Sequence, residues 1–108
     1  MNSAKVLEKL RSICLALPDS EEVRTWGHPT FRTRKKAFCV FEQYKGVWSI
    51  VVKVEKEHQS LFLKDPRFYL TPYIGPKGWV SLKADGKLDW NEVRHLVAES
   101  HRLVTPKK

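Results

Sequence analysis

A chain of 108 residues, 42% hydrophobic and 11% aromatic, holds enough apolar side chain for a single domain (residues 1–108) with one core, which excludes a disordered polymer. Twenty lysines and arginines against twelve acids leave a formal net charge of +8, a balance that favours acidic partners such as nucleic acid, anionic lipid or a polyanionic protein. No run of about eighteen apolar residues is present to span a membrane, and Met1 leads into a polar, helix-like segment rather than a signal-peptide core, so a soluble cytoplasmic protein is expected.

Val6, Leu7, Leu10, Cys14 and Leu17 recur at three and four residues, which predicts an amphipathic first helix with Ser3 as N-cap and Pro18 as its stop. A turn at 17–22 leads to an extended stretch anchored by Val23 and Trp26. Gly27-His28-Pro29 interrupts the pattern, and Pro29 lacks the donor of a central strand, which places His28 in a connection or on an edge. Phe31 and Thr33 alternate with Arg32 and Arg34, as in a half-buried strand with its cations outward. Arg34-Lys35-Lys36 reads as a turn before a strand over 37–44. Lys45-Gly46 then closes a hairpin onto Trp48, Ile50, Val52 and Val54, whose even spacing opposes Ser49 and Lys53.

Residues 55–64 predict a short helix ended by Pro66. The following stretch to Gly78 holds three prolines and two glycines, the least regular part of the chain, and is either a functional loop or a cover over the sheet edge. Trp79, Val80 and Leu82 form a further strand. Asp89 with Glu92 three residues on marks the start of the last helix, whose buried stripe is Val93, Leu96, Val97, Ser100 and Val104. The order α-β(3–4)-α-β(1–2)-α implies an α+β domain, an antiparallel sheet with helices on one face.

Cys14 and Cys39 are far apart and sit in apolar patterns, which suits packing roles in a reducing compartment. His28, His58, His95 and His101 lack the spacing of a zinc site, so no metal and no other cofactor is expected. No orienting carboxylate neighbours His28 in sequence and no Cys-His pair can be argued, so no enzyme is expected.

The densest charge lies between Arg24 and Tyr44, which holds five of the twenty bases and no acid between Glu22 and Glu42. Arg24, Arg32, Arg34, Lys35 and Lys36 are candidates for one phosphate-binding strand and hairpin surface, extended by Lys77, Lys83 and Lys107. DNA, met through its backbone with modest sequence specificity, is the expected partner, with the protein a monomer. The competing expectation is a small-ligand or protein-binding pocket near the 65–78 loop, lined by Trp26, His28, Phe31, Tyr73 and Trp79 with Arg102 as an anion anchor. Against that pocket, Trp26, Trp79 and Trp90 read more readily as core residues.

The stretches WGHPTFRTRKKAF (Trp26 to Phe38), PYIGPKGWVSL (Pro72 to Leu82), DWNEV (Asp89 to Val93) and SHRLVTPKK (Ser100 to Lys108) resemble the MmcQ/YjbR-like family, formerly a domain of unknown function. LALP at Leu15 to Pro18 fits the end of that family's first helix, so the likeness runs nearly end to end. His101 stands where tyrosine is frequent in the closing motif, and Lys35 where glycine is common in the hairpin. The resemblance implies a compact α+β fold compared with frataxin-like proteins and with a "double wing" DNA-binding domain, and a DNA-binding label that rests on that analogy. The family's occurrence beside antibiotic-resistance genes makes a drug-binding role conceivable. A frataxin-like iron role is not expected, because Glu8 is the only acid of the first helix.

Overall fold

The computed structural model describes residues 2–105. Helix α1 (Ser3–Leu15) is followed by four strands, β1 (Ser20–Thr25), β2 (His28–Thr33), β3 (Lys36–Tyr44) and β4 (Val47–Lys53). Then come α2 (Lys56–Leu63), β5 (Phe68–Leu70), a 3-10 turn at Gly75–Lys77, β6 (Trp79–Lys83) and α3 (Trp90–Val104). The strands form a six-stranded antiparallel sheet in the order β1-β2-β3-β4-β6-β5. Among the described residues no helix is long and apolar enough to cross a membrane.

The first three hairpins turn on two residues each: Trp26–Gly27, Arg34–Lys35 and Lys45–Gly46, all six at positive φ. Two consecutive positive φ values define the type I′ turn, whose twist matches that of the flanking strands. The predicted turn at Arg34–Lys35 is therefore present, and Lys36 already belongs to β3.

All three helices lie on one face. Phe41, Ile50, Leu82 and Phe68 stand opposite one another across β3, β4, β6 and β5, and with Phe31, Cys39 and Val52 they make the buried layer beneath the helices. Arg11 of α1 bonds Glu22 of β1, Phe62 of α2 packs on Phe68 at 5.3 Å, and α3 supplies Val93, Leu96 and Val97. Cys14 and Cys39 are free, fully buried thiols within this core, and burial pushes the Cys14 thiol up.

A β-bulge fixes the register. Phe31 pairs with Cys39 but Arg32 with Ala37, which leaves Phe38 as the extra residue on β3. Ser100 of α3 compensates: its hydroxyl donates to the Phe38 carbonyl at 2.5 Å and accepts from the Lys53 N–H at 2.9 Å. Next to it, His101 meets Phe38 edge-on at 5.0 Å and hydrogen-bonds the Pro18 carbonyl at 2.9 Å. The histidine thus ties α3 to the chain leaving α1.

Four local readings change. Asn2, not Ser3, caps α1, its side chain accepting from the Lys5 N–H. Phe68–Leu70, inside the proline-rich stretch, is an edge strand. His28 opens β2, which lies second from the edge; the β2–β3 ladder begins only at Thr30, so Pro29 sits where β2 has one partner strand. Trp26 is no apolar anchor, since it caps a hairpin with its ring 93% exposed.

Candidate functional site

Among the described residues no α-helix packs on the sheet's second face. Thr30, Val40, Val51, Ser81 and Tyr69 form a row across it, and Glu42, Ser49 and Lys83 another. Residues 71–78 fold over the β4–β6 side of this face. There Thr71 and Ser81 share a buried hydroxyl hydrogen bond of 2.9 Å, and Tyr69 bonds Ser49 at 2.8 Å. Gln59 of α2 holds the segment from behind, donating to the carbonyls of Gly75 (2.8 Å) and Trp79 (3.1 Å). Gly75 leaves room for the Leu70 side chain, which would have to shift for a Cβ placed 2.6 Å from it. Between this cover and the Trp26 hairpin the face stays open, as a cleft of about 630 Å³. That size falls in the range of small-molecule sites, roughly 300–1,000 Å³.

Two aromatic residues stand at the apexes of the cleft's rim. Trp26 occupies the first position of its type I′ turn at φ 54°. Tyr73 is centred in a three-residue turn closed by the Ile74 N–H to the Pro72 carbonyl at 2.8 Å, with φ 68°. Left-handed backbone costs an L-residue about 1–2 kcal/mol, and asparagine or glycine would remove most of it. Neither ring recovers that energy by packing: Trp26 is 93% exposed and Tyr73 is 99% exposed. Strain without compensation in the folded chain is characteristic of functional positions.

The cleft is also lined by His28, Tyr44, Ile74 and Trp79, together with Val40 and Thr30 of the sheet. Tyr44 is stacked at 6.1 Å on Tyr69, which fixes its ring against the sheet. Among the described residues no lysine or arginine lines the cleft, and Glu42 is the single acid in its lining. Among the described residues no salt bridge engages Glu42. Arg24 donates to the Gly27 carbonyl at 3.3 Å, and Arg32, on the open face beside Thr30, is engaged by Glu21 at 2.7 Å. The cleft can therefore stack flat apolar groups and offer one carboxylate, but presents no cation to a phosphate. Among the described residues no group of three histidines, cysteines or acids is placed to hold a metal ion.

A family model described as YjbR matches residues 15–103. The chain belongs to the YjbR family. Two solved structures share the fold of this YjbR domain. The crystal structure of a Pseudomonas syringae protein covers 97% of this chain and 100% of its own, at 18% identity and a TM-score of 0.78. That of Deinococcus radiodurans protein DR2400, a DUF419 domain, covers 94% of this chain and 79% of its own, at 21% identity and a TM-score of 0.81. No curated protein matches.

Within the YjbR fold the sequence-predicted pocket residues divide. Trp26, His28, Tyr73 and Trp79 all reach the one cleft. Phe31 does not: its strand parity sends it to the helix-covered face, where it is fully buried. Nor does Arg102, which lies on α3 behind the sheet and bonds Glu99 and Glu55 (3.0 Å to the latter), contacts that hold its guanidinium pKa above the ordinary value. Trp90 is half-buried under Lys9 (5.3 Å), a packing role as expected. Glu42, Tyr44 and Ile74 escaped the sequence reading; the signal for the first two was present in strand alternation, which puts them on the side of Val40.

The predicted basic surface divides as well. Antiparallel pairing brings Arg34, Lys35, Lys36 and Lys77 to one end of the sheet, whereas Arg24 and Lys83 lie at the opposite end, a strand length or roughly 20 Å away. Arg32 is occupied by Glu21, and exposed Arg34 faces Asp19 at 3.4 Å. Lys53 and Lys56, whose side chains flank Gly78, join the first group. Lys107 lies outside the described residues.

Proposed function

We propose that this protein is a non-catalytic binding module that holds a compact ligand bearing a flat ring in the cleft of its open sheet face. One observation carries the reading: Trp26 and Tyr73 are each held at a strained turn apex, nearly fully exposed, on the rim of the same apolar cleft. An aromatic side chain buries 150–250 Å² when covered, and ring stacking adds about 0.5–1.5 kcal/mol, so two such rings repay their backbone strain only when a ligand covers them. The non-catalytic part rests on the arrangement of the polar groups. His28 and Glu42 both line the cleft, but no hydrogen bond joins them among the described residues, and neither has the oriented partner that a general base requires. The two free buried thiols suit a reducing cytoplasm.

DNA binding is the second reading, favoured by Lys35, Lys36, Lys53, Lys56 and Lys77 at one end of the sheet, none of them in a salt bridge among the described residues. Five phosphate contacts would give a log–log salt slope of about −4 to −5. One experiment weighs the two readings. Mono- to tricyclic aromatic compounds, and separately a short DNA duplex at about 50 mM salt, are titrated into ¹⁵N-labelled protein. The cleft reading expects the compounds to shift amides of residues 25–30, 40–44 and 71–79. The DNA reading expects shifts at 34–36, 53–56 and 77 that vanish with salt. Unmoved cleft resonances at millimolar compound would overturn the first, and absence of any duplex-induced shift the second.

A further inference from the structure

We infer that the ligand of this cleft is a flat organic cation, its ring system against Trp26 and Tyr73 and its charged nitrogen at Glu42. This rests on the cleft reading above and adds to it the ligand's charge. In a chain of net charge +8, no lysine or arginine among the described residues belongs to the lining, and the one formally charged side chain within it is Glu42. A site for a phosphate or carboxylate ligand would use such a base, and the described lining holds none. Glu42 is half-buried on β3, free of any salt bridge among the described residues, on the row that continues through Ser49 to Lys83. Lys83 is two strands away, roughly 10 Å, and exposed. His28 is the only other titratable group of the lining apart from the tyrosines Tyr44 and Tyr73. The indoles of Trp26 and Trp79 and the phenol ring of Tyr73 present electron-rich faces, which attract cations and add to the carboxylate in sign, whereas the Tyr44 ring is already stacked on Tyr69 and carries the Lys45 ammonium 5.4 Å from its centroid. Aromatic faces around a lone, partly desolvated carboxylate are how proteins select a cation over a neutral or anionic ring of equal size.

The test compares two tricyclic probes of similar area and opposite charge, proflavine (cation) and anthracene-2-sulfonate (anion), by equilibrium titration at about 100 mM salt. The protein's overall charge favours the anion, so a preference for the cation is a demanding result. Proflavine is expected to bind at least about tenfold more tightly. Glu42→Gln should lower proflavine affinity about five- to tenfold and leave anthracene-2-sulfonate unchanged or tighter. Equal affinity for the two probes, or an unchanged proflavine affinity in Glu42→Gln, overturns the charge assignment while leaving the cleft standing. Binding of neither probe overturns the cleft reading and this one with it. The wild-type comparison alone decides the matter if the variant fails to fold.

Discussion

Replacing Trp26 by asparagine separates what the indole does for the fold from what it does for a ligand. Trp26 sits at φ 54° ahead of Gly27 at φ 82°, the geometry in which Asn-Gly is the preferred pair. The left-handed conformation costs tryptophan about 1–2 kcal/mol, of which asparagine recovers roughly half through its short polar side chain. With the ring 93% exposed, almost no packing is lost in exchange. Trp26→Asn should therefore be more stable by about 0.5–1 kcal/mol, which raises Tm by roughly 2–8 °C in a domain of this size. The same change removes one stacking surface from the cleft and should weaken proflavine binding about tenfold. Stability is read by circular dichroism in urea and on heating, which avoids the altered fluorescence, and affinity by titration. A destabilised variant would mean that the indole packs on the folded chain. A stabilised variant with undiminished affinity would refute the view that Trp26 is retained for a ligand.

Two further perturbations test the frame behind the site. Ser100→Ala strips the partner from the buried Phe38 carbonyl and the partly buried Lys53 N–H, and should cost about 1–3 kcal/mol; a loss below about 0.5 kcal/mol in urea melts would show that the bulge does not depend on this hydroxyl. The Arg11 guanidinium, hydrogen-bonded to Glu22 through two nitrogens, holds that carboxyl below its ordinary value. A depressed folded-state pKa means stability that is present above the ordinary glutamate range and lost as pH falls through the folded value. The pair is partly exposed, so the amount is about 1 kcal/mol or less. The Tm gap between wild type and Glu22→Gln should accordingly close between pH 5 and pH 2, and a gap independent of pH would contradict the assignment.

The elements were legible wherever periodicity is strong. The stripe from Val6 to Leu17, the Asp89 cap, which accepts from the Asn91 and Glu92 N–H groups, and the even positions of β4 each led to the right element. The side of the sheet that stays open was not legible, for a physical reason. Val40 and Val51 on one face are as apolar as Phe41 and Ile50 on the other, and alternation alone does not say which face receives helices. The bulge at Phe38 adds to this by reversing strand parity within the run AFCVF, so the alternation of Ala37 does not carry through to Val40 and Glu42. Arg102 and the Lys53–Lys56–Lys77 group illustrate the second limit: both depend on which distant segments meet, through the α2–α3 contact of Glu55 with Arg102 and the β4–β6 pairing. Trp26 shows the converse limit: tryptophan is highly buried on average, and nothing in the run TWGHP distinguishes an exposed turn position from a core one.

The sheet's two margins differ from its face in one respect that bears on how the molecule behaves in a crowded solution. Outermost β1 carries Glu21, Glu22 and Arg24 within six residues, and outermost β5 is only three residues long, flanked at short distance by Pro66 and Pro72. Charge on one margin and brevity on the other deny a second copy the long, flat row of free amides on which strands add end to end into fibrils. The apolar opening between Trp26 and Tyr73 can thus stay uncovered without making the chain prone to that kind of assembly, and substituting Glu21 and Glu22 together by valine should raise thioflavin-positive aggregation above that of the parent chain.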